Sequence, residues 1–468
     1  MTNTWATFGV DLHLDLAGTR VRAGLERALR EAVQVGRLRP GTRLPSSRTL
    51  AQDLGIARNT VAEAYGQLVA EGWLTARRGS GTRVADRAAA VQVPVSPAAE
   101  AVRRPRYDLR AGSPDLSGFP RSGWLAAARR ALNAAPQEAL GYSDPRGRPE
   151  LRSALAEYLA RARGVRITPD RLVVCSGFTQ GLGLLCQVLR RRGAVTLAME
   201  GYGQPSHRRL AAAGGLKVKT LTVDRHGAMV SELDDAGAVL LTPAHQFPLG
   251  VALSSQRRSR AVAWALDTGK LIIEDDYDGE FRYDRQPVGA MQALAPEHVV
   301  YAGTASKSLA PGLRLGWLVL PAHLVDDVVA AKSLADRHSS ALDQLTLAEF
   351  IVSGGYDRHV RRSRLACRRR RDRLVAALHQ RAPHVRITGI AAGLHALVEL
   401  PTGQREDEVV SRAAQHGLAI EGLQPYSATE QQHDPALVVG YCTPPEHALT
   451  GAIARLCAAL DDQVAGVA

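Results

Sequence analysis

Apolar residues fall on every fourth position at Val21, Leu25, Leu29 and Val33, which lays one stripe along a helix that ends near Gly36. The turn "RPGTRLPS" follows. A short helix is then predicted over Arg48 to Leu54, capped by Ser46 or Ser47 and broken by Gly55. A second helix starts near Arg58 and turns Val61, Ala64, Tyr65 and Leu68 inward. Helix, short glycine-containing turn, helix is the helix-turn-helix pattern. "GWLTARRGSGTRVA" adds two extended pieces around Arg77 to Gly81, a β-wing.

Between Asp86 and Arg106 the periodicity is lost and Pro and Ala accumulate, as in a semi-extended linker. From Tyr107 the texture changes. "RLVVCSG", "AVTLAM", "AVLLTP", "KLIIEDD", "HVVYAG" and "RLGWLVL" are short apolar runs alternating with helical stretches. That alternation predicts an α/β fold with a doubly wound, mostly parallel sheet. Past about Leu324 helices dominate until "HALVEL" and "ALVVGY", which point to a small α+β lobe. The expected division is a winged helix-turn-helix over 12–85, a linker over 86–106 and a large domain over 107–468, its small lobe starting near 325.

At 468 residues two or three domains are expected. The 45% hydrophobic and 22% charged composition is globular. A net charge of +13 favours a polyanionic partner, though an Arg-rich bias with only five lysines accounts for part of it. Five cysteines without ligand spacing predict neither a disulfide framework nor a metal site. No signal-peptide pattern and no run of eighteen apolar residues is present, so a cytoplasmic protein is expected.

The predicted second helix begins with Arg58, Asn59 and Thr60, side chains suited to guanine, adenine, and phosphate or methyl contacts. Ser46 and Arg48 are placed to anchor phosphates at the preceding helix, and Arg77 and Arg78 to reach DNA from the wing. Residues 1–86 carry twelve arginines against eight carboxylates, a modest net of +4. A dimer on two half-sites is the natural route to useful operator affinity.

In "GTASKSLAPGLRLGW" Lys307 stands between hydroxyls and Arg314. An amine that forms a Schiff base with an aldehyde cofactor needs such surroundings, and arginine cannot do this because it stays protonated. Thr304, Ser306 and Arg314 are candidates for a phosphate. "KLIIEDDYDGEF" ends an apolar strand in acid, where Asp275, with Asp276 the lesser candidate, would pair with a pyridinium nitrogen and Tyr277 with a ring hydroxyl. Gly177, Phe178 and Thr179 lie between a strand and a helix, a place for phosphate on backbone N–H groups. Tyr202 offers a ring to stack on the pyridine. The cofactor these pieces fit is pyridoxal 5'-phosphate.

Two resemblances carry this further. Pro45, Ser46, Arg48, Leu50 and Ala51, then Leu54, Gly55, Arg58, Thr60 and Val61, then Gly79, Gly81, Thr82 and Val84 resemble the winged helix of GntR-type bacterial regulators. From Tyr107 onward the chain resembles fold-type-I aminotransferases, through "GYSDPRGRPELRSALAEYLARARGV" and "LTPAHQFPLG" as well as the pieces above. His-Gln in the latter is similar to MocR/GabR-type regulators, in which the two domains are joined. That resemblance implies His245 or Gln246 near the cofactor, a head-to-tail homodimer and nucleoid association when DNA is bound.

The chain departs from the pattern in two places. Ala198-Met199-Glu200-Gly201-Tyr202 replaces Glu-Asp-Pro-Gly-Tyr, and Glu421 to Asp434 holds no Arg or Lys where GabR-like members have an arginine for an effector carboxylate. The second favours regulators of vitamin B6 synthesis that sense pyridoxal phosphate itself. The run Arg358 to Arg373 holds nine arginines and is expected to be a structural or solvated helix rather than a further DNA contact. Two functions follow: a regulator whose operator binding responds to pyridoxal phosphate, alone or with an amine, or a working aminotransferase with an accessory DNA-binding domain. The intact Arg58-Asn59-Thr60 tip favours the regulator.

Overall fold

The computed structural model describes residues 21–77, 80–86, 105–283, 288–429 and 434–461. Two compact units divide the chain at residues 103 and 104. In the first, α1 (Val21–Gln34), α2 (Ser47–Leu54) and α3 (Arg58–Ala70) precede a hairpin of β1 (Leu74–Arg77) and β2 (Gly81–Val84). The buried face of α3 is Val61, Ala64, Tyr65 and Leu68, the set read from its periodicity. These residues close a core with Leu25, Leu29 and Val33, while Val21 stays exposed at the first turn. Gly55, at φ 66°, ends α2 in the left-handed region where a side chain is disfavoured. Most of the expected linker lies outside the described residues.

In the second unit the elements are β3 (Tyr107–Asp108), α4 (Arg121–Ala134), α5 (Pro149–Arg163), β4 (Leu172–Cys175), α6 (Phe178–Arg191), β5 (Thr196–Glu200), α7 (Pro205–Ala213) and β6 (Lys217–Leu221). A small hairpin, β7 (Val223–Asp224) and β8 (Gly227–Ala228), leads to β9 (Ala238–Leu241), α8 (Ser255–Thr268), β10 (Leu271–Asp275), β11 (Val299–Thr304) and β12 (Gly316–Val319). The sheet order is β4-β12-β11-β10-β9-β5-β6, parallel except for β12, which runs antiparallel to both neighbours. Alternate residues of each strand enter opposite cores. Val173, Met199, Ile273 and Ala302 pack under α6, whereas Leu172, Val174 and Trp317 pack with α5. Both faces are covered, which explains the uninterrupted apolar runs.

The chain continues through α9 (Val325–Asp336), α10 (Ala341–Val352) and the long α11 (Gly355–Arg381). The remaining elements are β13 (Arg386–Thr388), β14 (Ala396–Glu399), α12 (Glu406–Gln415), β15 (Leu418–Ala419), β16 (Glu421–Gly422), β17 (Ala436–Val439) and α13 (Glu446–Asp461). Residues 325–360, expected in the small lobe, pack on the large sheet instead. Val328 and Ala331 enter the core under α6, and Leu347, Phe350 and Tyr356 the one beside α5. The small core starts at Cys367, in the middle of α11, and takes in Leu109 from the other end of the unit. Its antiparallel sheet runs β13-β14-β17-β16.

The fold also brings together two cysteines 75 residues apart, Cys367 and Cys442, whose sulfurs are bonded with Cα atoms 5.7 Å apart. No spacing pattern announced this pair. Among the described residues no helix is long and apolar enough to cross a membrane, and no acid, His or Cys cluster could hold a metal.

Candidate cofactor site and DNA-reading helix

In the first unit Arg58 and Asn59 are exposed at the first turn of α3, and Thr60 is half-buried beside them. Arg48 and Arg77 are exposed on α2 and the wing strand, while Arg78 lies outside the described residues. Ser46 serves the helix itself: its Oγ accepts the Thr49 N–H at 3.1 Å as the N-cap of α2. The structure adds Arg43, whose exposed guanidinium lies beside Gly81 in the wing. The Arg30–Glu71 ion pair, 2.8 Å long, ties α1 to the end of α3.

In the second unit five strands deliver their carboxyl ends to one crevice, the usual binding place in an open α/β sheet. β10 ends at Asp275, β11 leads to Lys307, β5 to Tyr202, β9 to Thr242 and β4 to the N-terminus of α6. The cavity between them measures about 280 Å³. Phe178, Thr179, Tyr202, Asp275, Tyr277, Thr304, Ser306, Lys307 and Arg314 all line it. Strand alternation separates the two acids left open at 275 and 276. Asp275 faces the cavity, whereas Asp276 turns away into Arg163 at 2.6 Å and the Tyr301 hydroxyl at 2.8 Å.

Lys307 Nζ donates to the carbonyl of Gly112. Burial lowers its pKa, and Asp275 and Asp278 act against that. Burial holds the Asp275 carboxyl well above the usual carboxylate range, against the opposing charge of Lys307. Among the described residues the Asp275 carboxylate makes no hydrogen bond. Arg314 reaches back to the carbonyl of Ser176. Gly177, at φ 83°, opens α6 so close that a Cβ there would stand 3.2 Å from the Arg314 guanidinium. Only glycine fits this turn, and the result is a cup of helix N–H groups, hydroxyls and a guanidinium.

His245 and Gln246, expected near the cofactor, do not line the cavity. His245 is buried behind Tyr277, with Nδ1 2.7 Å from Asp278 and 3.1 Å from the Tyr277 hydroxyl. Gln246 spends its amide on loop backbone, donating to the carbonyls of Tyr202 at 2.9 Å and Phe247 at 2.7 Å. They brace the two aromatic side chains instead of forming the wall.

Several wall residues were not singled out in the sequence. Glu200 accepts the Thr242 N–H at 3.1 Å, and burial pushes its carboxyl up to about 7. His207 packs on Phe178 with ring centres 4.9 Å apart, and burial, then the charges of Lys307 and Arg208, lowers it to about 4. Arg208, Phe247 and His395 complete the lining. The segment "GQPSHRR" has no motif to mark it, so these polar groups acquire meaning only from the fold.

Pyridoxal phosphate fits this donor set. Lys307 supplies an amine, Asp275 a buried carboxylate without a hydrogen-bond partner among the described residues, Tyr202 an aromatic face, Tyr277 a hydroxyl, and the cup a place for phosphate oxygens. Fold and cavity together define an aminotransferase-like domain carried on the same chain as a winged helix-turn-helix. Residues 22–84 match the model for bacterial regulatory proteins of the gntR family, and residues 108–422 that for aminotransferase class I and II. The chain therefore belongs to the family of HTH-type transcriptional regulators in which these two domains are joined.

It is 34% identical over 427 residues to the uncharacterized HTH-type transcriptional regulator YdeL of Bacillus subtilis, covering 89% of this chain and 91% of the relative. The pyridoxine biosynthesis transcriptional regulator PdxR of Corynebacterium glutamicum is 32% identical, with 87% and 89% covered. A probable rhizopine catabolism regulatory protein, MocR of Rhizobium meliloti, is 34% identical with 84% of each chain covered. Among solved structures an archaeal alanine:glyoxylate aminotransferase superposes with a TM-score of 0.70 at 25% identity, over 76% of this chain and 91% of that one.

Proposed function

We propose that this protein is a cytoplasmic transcriptional regulator in which pyridoxal phosphate, held at Lys307, sets the affinity of the winged helix for an operator. One observation carries the reading. A single chain holds an exposed Arg58-Asn59 helix tip and a cavity with a half-buried lysine, a buried carboxylate that makes no hydrogen bond among the described residues, and a phosphate cup. When bound, pyridoxal phosphate supplies an aldehyde for amines and an electron-withdrawing ring. Asp275 would hold the ring nitrogen, Tyr277 the ring oxygen, Tyr202 the ring face, and Thr179, Ser306 and Arg314 the phosphate. The named relatives, regulators of pyridoxine biosynthesis and rhizopine catabolism among them, support regulation over catalytic turnover.

A homodimer belongs to the same proposal. α4 has one buried residue in 14, Ala127, and exposes Leu125 and Leu132 one above the other. That exposed apolar side of α4 is suited to a second copy.

The test pairs a spectrum with a gel. Pyridoxal phosphate added to the protein is expected to give a visible absorption band that borohydride fixes onto Lys307, and to change the mobility-shift midpoint on the DNA upstream of the gene. Lys307→Ala should abolish the band and that response while leaving cofactor-free DNA binding intact. A colourless wild-type protein, or an equal response from the variant, would overturn the reading.

A further inference from the structure

Residues 109–115 form a strap beside the cofactor cavity, and its Gly112 carbonyl accepts Lys307 Nζ. The turn after β17 holds this strap. Gly440 N–H donates to the Leu109 carbonyl at 2.6 Å, and the Thr443 hydroxyl donates to the carbonyls of Arg110 at 2.7 Å and Ser113 at 3.1 Å. Cys442 lies between those two residues. It is bonded to Cys367 of α11 with Cα atoms 5.7 Å apart, a separation that a disulfide spans without backbone movement. Arg370 ties the same parts together, donating to the carbonyls of Cys442 at 3.4 Å and Pro444 at 2.8 Å and to the Asp115 carboxylate at 2.6 Å. A transcriptional regulator works beside DNA, in a reducing compartment where disulfides do not persist. The surroundings of this pair are cationic: the Arg370 guanidinium lies against Cys442, and Arg371 stands one turn beyond Cys367 on α11. Such surroundings favour the thiolate that reacts with oxidants. The other three cysteines are buried, and burial pushes Cys175 up to about 12 and Cys186 to about 11.

We propose that Cys367 and Cys442 are a redox-responsive pair, a dithiol at rest and a disulfide under peroxide, and that the bond pins the strap at Lys307 so that pyridoxal phosphate joins the lysine more slowly. Cys367, 7% exposed against 0% for Cys442, reacts first. Its sulfur attacks one oxygen of hydrogen peroxide, the O–O bond breaks, and a sulfenic acid and one water result. The Cys442 sulfur then displaces the sulfenic hydroxyl, the S–S bond forms, and a second water leaves. Both thiol protons depart in the two waters, and two electrons pass from the sulfurs to the peroxide. Exchange with a small thiol such as glutathione reverses the step. The effect at Lys307 rests on the pyridoxal phosphate reading, whereas formation of the bond does not. A permanent staple between α11 and the end of β17 is the competing role, and it predicts a different result.

Full-length protein is equilibrated in a glutathione buffer at the cytosolic poise, desalted, exposed or not to hydrogen peroxide, then denatured and alkylated. All five cysteines should take the label before peroxide. After it only Cys175, Cys186 and Cys457 should, with a linked Cys367–Cys442 peptide in the mass spectrum. Pyridoxal phosphate is added to native samples of both forms and the rise of the visible band is followed. The oxidised form should be about tenfold slower, the effect of one hydrogen bond that must be broken without help from a moving strap. Reduction should restore the rate, and Cys367→Ala and Cys442→Ala should each keep the reduced rate after peroxide. The proposal is overturned if the pair stays bonded in the glutathione buffer, as a staple would, or if peroxide leaves all five cysteines open to the label. Equal rates for the two forms, or slowing of the alanine variants by peroxide, overturn the link to Lys307. A band in neither form overturns the cofactor reading and that link with it, while the thiol count still decides whether the pair responds to oxidation.

Discussion

At the scale of single residues, position along a strand decides chemistry. Asp275 and Asp276 are neighbours with the same side chain, yet one ends in a cavity and the other in an ion pair with Arg163. The period of two in a strand forces that split. Asp275 is held in an environment that disfavours its charge, so the apo protein gains nothing from it. Asp275→Asn should therefore leave the melting temperature of the apo protein unchanged or slightly higher. The loss should appear in cofactor affinity, which equilibrium dialysis is expected to show weakened about 10–100-fold, the value of one hydrogen bond to a charged partner. Full affinity in the variant would mean that the ring nitrogen lies elsewhere. Lys307, Asp275, Tyr277 and Arg314 were legible in the sequence because each closes a short run whose order is diagnostic. Glu200, His207 and Arg208 were not, since their roles depend on how the end of β5 and the start of α7 are carried to the cavity.

Elements show the same contrast between what local pattern reveals and what packing decides. The period in α3 named its four buried residues correctly because a small helical domain has one core to serve. The edge strand β6 has no continuous apolar run to mark it: in "KVKTL" Lys217 and Thr220 are exposed and only Leu221 is buried, unlike the fully buried strands inside the sheet. The helices between 325 and 360 serve the large sheet and not the small lobe, because a periodic apolar stripe does not say which sheet it faces. In α11 the arginine run divides by position. Arg370 is buried against Asp115 at 2.6 Å, and Arg364 donates to the Glu280 carbonyl at 2.6 Å, while Arg361, Arg368 and Arg369 are exposed. The tip of α3 makes the sharpest demand at this scale. Arg58 is exposed and forms no ion pair among the described residues, so Arg58→Ala should not unfold the domain. Fluorescence-anisotropy titrations are expected to show about 1–3 kcal/mol lost on the cognate operator and relaxed selectivity at one base position. Unaltered affinity and selectivity would remove α3 from the reading role.

For the whole molecule, sensing and DNA reading must be linked through states that bind the ligand unequally, because a ligand with equal affinity for both shifts nothing. The first unit alone is poorly equipped to hold DNA, at a net of +4 over residues 1–86. Two copies on two half-sites would multiply a weak single-site affinity through effective concentration, by about 10²–10⁴-fold. The apolar surface on α4 is the element on which such pairing would depend. Leu125 and Leu132 are one heptad apart, 68% and 52% exposed, on a helix whose inner side already rests on α10. A glutamate at both positions should leave the large domain folded, since neither leucine contributes to its core. Sedimentation velocity of the Leu125→Glu/Leu132→Glu variant is expected to show a monomer where wild type is a dimer. Its affinity for a two-half-site operator should fall by the same two to four orders of magnitude, and its affinity for an isolated half-site should not change. If the variant remains dimeric, pairing uses another surface. If it is monomeric but binds the full operator as wild type does, two reading heads are not what holds this protein to DNA.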